Sequence, residues 1–75
     1  MNERIVLDPE IQHGKPVIRG TRVPVARILG CLAAGMSEEE IRREYEISED
    51  DLKAVFQYAA DMIDREKVHP LPISA

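Results

Sequence analysis

The chain has 75 residues, one cysteine, a mean hydropathy of −0.27 and a formal charge of −4. This length holds one domain, and a domain so small buries only about 60% of the surface its unfolded form exposes, so it is marginally stable alone. Intrachain disulfides are excluded, no apolar run approaches the roughly 20 residues that span a bilayer, and His13 and His69 have no paired ligands at metal spacing.

The charge is unevenly placed. Residues 1–36 carry five basic and three acidic side chains, a balance of +2; residues 37–75 carry five basic and eleven acidic, a balance of −6. An acidic half argues against a chain that coats nucleic acid over its whole surface. The opening MNERIVLD has no signal-peptide core, so the expected setting is soluble and cytoplasmic, without a membrane.

In chain order, Arg4-Ile-Val-Leu7 reads as a short β-branched strand stopped by Asp8-Pro9. Pro16-Val-Ile-Arg19 reads as a second, bracketed by Gly14 and Gly20, where positive φ is available. The two strands can pair as a hairpin. A two-stranded ribbon is barely stable in water, so strands added by a second copy are expected, giving a homodimer.

Pro24 suits the first turn of a helix. Val25, Ile28, Leu29 and Leu32 then recur on one helical face. Cys31 on this helix reads as a buried structural thiol. Gly30 interrupts the pattern, either because it faces solvent or because another backbone packs close. Gly35 is placed to end the helix in a left-handed conformation.

Ser37 and Glu40 have the spacing of a capping box, with Met36 and Ile41 as a hydrophobic staple; this predicts a helix of about two turns ending near Glu46, with Ile41 and Tyr45 facing the core. Ser48, Asp51, Ile47 and Leu52 repeat the arrangement. The helix they start runs to about Arg65, with Leu52, Val55, Phe56, Ala59, Met62 and Ile63 as a core-facing stripe.

The predicted fold is therefore mainly α: a three-helix unit over 24–65 behind a β arm of two short strands over 1–23. Residues 1–65 form one domain, and 66–75 an extended or disordered tail whose Leu71 and Ile73 are candidates for docking on a partner.

The segment from Gly14 to Val25, GKPVIRGTRVPV, is stiff, extended and cationic, carrying Lys15, Arg19 and Arg22, with Arg27 following. Such cations suit an acidic surface, because arginine presents a planar fork matched to carboxylate or phosphate. Equally, Arg19 and Arg22 fit structural pairs with Asp8, Glu10 or the acidic helix starts. No Ser or Cys nucleophile is paired with a His, and the carboxylate clusters sit where helix capping accounts for them. No enzymatic activity, cofactor or metal is expected.

The run from Asp8 to Ile63, above all GKPxIRGTRxPV, resembles the family of domain of unknown function 433; the resemblance covers about residues 4–64. The less specific AAGMSxxEI is compatible with it. The matching positions are Gly14, Lys15, Pro16, Ile18, Arg19, Gly20, Thr21, Arg22 and Pro24. Family members often have a proline in the region after the short helix, where this chain reads Glu44-Tyr45-Glu46-Ile47.

The resemblance implies a homeodomain-like, helix-turn-helix fold preceded by short strands, in a bacterial or archaeal protein. It further implies an antitoxin similar to the VapB type, part of a type II toxin–antitoxin pair, whose partner is a ribonuclease toxin with a PIN-like fold. On that reading Lys15, Arg19, Thr21, Arg22 and Arg27 are the partner-binding residues.

The alternative is a DNA-binding regulator, possible if the basic arm does the binding. The usual reading helix would begin with Glu49-Asp50-Asp51, which repel phosphate where cations are needed.

Overall fold

The computed structural model describes residues 3–66. Strand β1 (Ile5–Leu7) pairs antiparallel with β2 (Pro16–Ile18) in the register Ile5–Ile18, Val6–Val17, Leu7–Pro16. Helices α1 (Val25–Ala33), α2 (Glu38–Tyr45) and α3 (Glu49–Glu66) follow. The tail carrying Leu71 and Ile73 lies outside the described residues.

Ile5 and Ile18 join Val25, Ile28, Ile41, Ile47, Leu52, Ala54 and Val55 in one core. The ribbon therefore owes its stability to helices of its own chain. Packing on helices supplies what a lone hairpin lacks, so strand addition by a second copy is not needed for the arm to fold.

Both capping boxes form with reciprocal bonds. The Ser37 hydroxyl accepts from the Glu40 amide at 3.1 Å and the Glu40 carboxylate accepts from the Ser37 amide at 3.0 Å. Ser48 and Asp51 repeat this at 3.0 Å each way. These bonds satisfy donors that a helix start otherwise leaves without partners. The first also holds the Glu40 carboxyl below its usual value, the Ser37 amide being the main cause.

Gly35, at φ 101, closes α1: its amide reaches the Leu32 carbonyl and the Met36 amide the Cys31 carbonyl, both at 3.0 Å. That pair of bonds is a Schellman closure. Gly30 faces solvent: apart from its own helix backbone, no atom of the described residues lies within 4 Å of where a Cβ would stand. Pro24 stands one position before α1, as its N-cap, at φ −70 and ψ 142.

The stripe on α3 departs from expectation in its second half. Leu52 and Val55 are buried, but Phe56 is 38% and Ile63 61% exposed. Periodicity identifies a face; it does not say how far the rest of the chain extends to cover it. The core reaches the first turns of this 18-residue helix, and the remainder runs on beyond it.

Cys31 is half-buried rather than fully buried, its sulfur 3.4 Å from the Tyr45 hydroxyl. This hydrogen bond, followed by burial, raises the Tyr45 pKa, against the pull of Arg27 nearby.

Candidate functional site

The basic arm is a short loop held by its own backbone and by the Thr21 hydroxyl. After β2 the chain turns at Ile18-Arg19-Gly20-Thr21, where the Thr21 amide donates to the Ile18 carbonyl at 3.0 Å and Gly20 takes φ 80. Positive φ at the third position of a turn favours glycine, which has no Cβ to clash.

The Thr21 hydroxyl then does two jobs. It donates to the Ile18 carbonyl at 2.7 Å and accepts from the Val23 amide at 3.0 Å. The Ile18 amide donates to the Val23 carbonyl at 3.0 Å, and Val17 bridges Pro24. Thr21 is thus positioned as the fastener of the loop, with its side chain already hydrogen-bonded.

The entry to β2 is equally constrained. Gln12, His13 and Gly14 take φ of 51, 57 and 81 in succession, forming a single left-handed turn. The Gly14 amide donates to the Ile11 carbonyl and the Lys15 amide to the Gln12 carbonyl, each at 3.1 Å. For residues with a Cβ this conformation costs roughly 1–2 kcal/mol apiece. Nothing in the local sequence around Gln12 and His13 announces it.

Lys15, Arg19, Arg22 and Arg27 are all exposed. Among the described residues none of the four forms a salt bridge. Asp8 instead accepts from the Glu10 amide at 2.9 Å. The structural pairing considered for Arg19 and Arg22 falls to Arg4, which sequence reasoning passed over. Its guanidinium reaches Asp51 at 3.0 Å and Asp50 at 3.7 Å, at the start of α3.

Arg4 also ties the arm internally, because its carbonyl accepts the Arg19 amide at 2.7 Å. One residue therefore joins the start of α3 to the turn carrying Arg19. Burial pushes the Asp51 carboxyl up, but the bonds from Ser48 and Arg4 outweigh that and hold it below its usual value of 3.8.

Beside this latch lies an open groove of about 630 Å³ between Glu3–Arg4 and the Asp50–Asp61 stretch of α3. Its open shape and charged lining differ from the enclosed apolar cavities that take small molecules. Among the described residues no group of three His, Cys, Asp or Glu side chains is placed to hold a metal ion, and no helix is long and apolar enough to cross a membrane.

Comparison with known proteins gives the arm and helices a family. The chain is 39% identical over 49 residues to a protein of Mycobacterium tuberculosis (strain ATCC 25618 / H37Rv) named "Putative antitoxin VapB45"; the match covers 65% of this chain and 20% of that protein. The crystal structure of Rv2018 from M. tuberculosis superposes with TM-score 0.63 at 36% identity, over 69% of this chain and 24% of that one. A DUF433 member from Anabaena variabilis ATCC 29413, solved at 2.00 Å, superposes with TM-score 0.72 at 30% identity, over 84% and 66%.

The chain thus spans about a fifth of the VapB45 relative and about a quarter of Rv2018. The family model of "Protein of unknown function (DUF433)" matches residues 5–59, from β1 into α3, and the chain belongs to that family.

Proposed function

We propose that this chain is the non-catalytic antitoxin of a type II toxin–antitoxin pair, acting in the cytoplasm as a homodimer and neutralising a PIN-like ribonuclease. The single observation that carries the mode of binding is the set of four exposed cations, Lys15, Arg19, Arg22 and Arg27, free of salt bridges among the described residues and set on or beside a tightly hydrogen-bonded loop. The similarity to a protein named as an antitoxin supports the role.

A nuclease that works through clustered carboxylates and a divalent cation offers an acidic cleft. Arginine forks on a rigid loop fit such carboxylates bidentately. Rigidity matters because a loop already fixed loses little conformational entropy when it docks. Arg19 and Arg22 make the direct contacts in this account, Lys15 and Arg27 add long-range attraction, and Thr21 holds the loop.

The test is co-expression with the product of the neighbouring gene. That product should arrest growth alone, be relieved by this chain and co-purify with it. An Arg19→Ala/Arg22→Ala variant should fail in both respects. A neighbour that is harmless, or that does not bind, refutes the reading.

One observation favours a second reading. The same four cations, without salt bridges among the described residues, suit a phosphate backbone, whereas the start of α3, with Glu49, Asp50 and Asp51, does not. A DNA-binding regulator would therefore use the arm and not α3. Its signature is a gel shift on the gene's own upstream DNA that fades steeply with salt and disappears in the Arg19→Ala/Arg22→Ala variant.

A further inference from the structure

The distal half of α3 carries an apolar face that the described part of the chain does not cover. Phe56 and Ile63 are 38% and 61% exposed, with Ala60 exposed and Ala59 half-buried between them. At 3.6 residues per turn these four positions form one stripe. We propose that this stripe is the contact between two copies of the chain, packed as antiparallel α3 helices about a two-fold axis passing between Ala59 and Ala60.

The pattern is self-complementary in the way a two-fold contact requires, where residue i meets j and j meets i. Phe56 and Ile63 stand symmetrically about the two alanines, so each Phe56 meets Ile63 of the partner subunit. The alanines at the crossing allow the helix axes to come close, and the large side chains fill the space on either side.

Charge selects the same register. Lys53 and Asp64 are both exposed, lie along the same flank of the stripe, and form no salt bridge among the described residues. In the antiparallel arrangement Lys53 falls opposite Asp64 of the partner subunit, twice over. Gln57 lies between them on the same flank, and its amide donates to Asp61 of its own helix at 2.8 Å.

The interface is short, below the roughly 1,200 Å² of standard complexes, so association is weak. The competing site is the outer edge of β1, where Leu7 is 63% exposed. That strand has three residues and offers little ladder to extend. The inference locates the interface of the homodimer proposed above and rests on that part of the reading alone. It is read by mass and not by toxin binding, so its failure is distinguishable from failure of the antitoxin role.

The test is sedimentation velocity of the full chain from low micromolar to near-millimolar concentration, with far-UV circular dichroism as the check on folding. The wild type should pass from monomer to dimer, and Ile63→Asp should stay monomeric with unchanged helicity. Asp64→Lys should weaken the dimer several-fold, and Lys53→Asp combined with Asp64→Lys should restore it. A wild type that stays monomeric throughout overturns the proposal. So does a dimer that survives Ile63→Asp, the more plainly if Leu7→Asp then abolishes it, which would move the contact to the β1 edge. A charge swap that fails to restore association overturns the antiparallel register.

Discussion

Replacing Asp51 with alanine should cost far more than its position near a helix start suggests. Its carboxylate accepts the Ser48 amide at 3.0 Å through one oxygen and the Arg4 guanidinium at 3.0 Å through the other. The first bond runs from a backbone amide to the ionised carboxylate at a solvent-exposed helix start, a cap worth about 1 kcal/mol. The second is charge-assisted, but Arg4 is half exposed while the Asp51 side chain is 19% exposed. Solvent screening brings that contact down to about 1 kcal/mol.

The loss is thus about 2 kcal/mol. For a domain of this size that lowers Tm by roughly 8–16 °C, at about 4–8 °C per kcal/mol. Arg4→Ala should cost about half as much, and the double variant should show a coupling of about 1 kcal/mol between the two sites.

The dependence on pH has a definite sign. The folded Asp51 pKa is lowered from 3.8. Its contribution is therefore complete above that value and fades as pH falls through the lower, folded-state value. The gap between wild type and Asp51→Ala should close on acidification below about pH 4. Thermal melts followed by circular dichroism across pH give both readouts. Additive losses for Arg4→Ala and Asp51→Ala, or an Asp51→Ala loss under about 0.5 kcal/mol, would refute the latch between arm and helix.

Gly30→Ala should stabilise the chain by about 1 kcal/mol, because the site is helical and open to solvent; a lower melting temperature would contradict its solvent-facing placement. Thr21→Val, which keeps the shape but loses a donor and an acceptor used at 2.7 and 3.0 Å, should cost about 1–2 kcal/mol. Thr21→Ser should recover most of that loss, and melts of the two variants separate loss of the hydroxyl from loss of packing.

What the sequence made legible was local. Ser37 with Glu40 and Ser48 with Asp51 announced both later helix starts because a capping box is written within four residues. Gly14, Gly20 and Gly35 marked positive φ because glycine adopts it at low steric cost. The placement of the arm was not legible. Arg4 and Asp51 are 47 positions apart, and no spacing rule connects them. Asp51 read as a helix cap alone, and Arg4 as the first residue of a strand.

The left-handed turn at Gln12 and His13 escaped for a different reason: residues with a Cβ seldom take positive φ, and the bonds that close the turn, from Gly14 to Ile11 and from Lys15 to Gln12, are backbone bonds that leave no mark in the residue types. The stripe on α3 was read correctly as a face and wrongly as core in its second half, since amphipathicity is identical whether the covering surface belongs to the same chain or to another. At the arm, the residues were evident from GKPVIRGTRVPV. What remained open was whether Arg19 and Arg22 were spent on internal pairs, and the structure assigns that work to Arg4.

The central claim is that exposed cations on a fixed loop bind an acidic site of a partner protein. Calorimetric titration of the full chain with the purified product of the neighbouring gene, at low and high salt, tests it most directly. Two charge-assisted contacts at 1.5 kcal/mol or more each predict at least about a 100-fold weaker Kd for Arg19→Ala/Arg22→Ala, together with a flatter salt dependence. Tight binding that is unchanged in that variant and insensitive to salt would contradict the account.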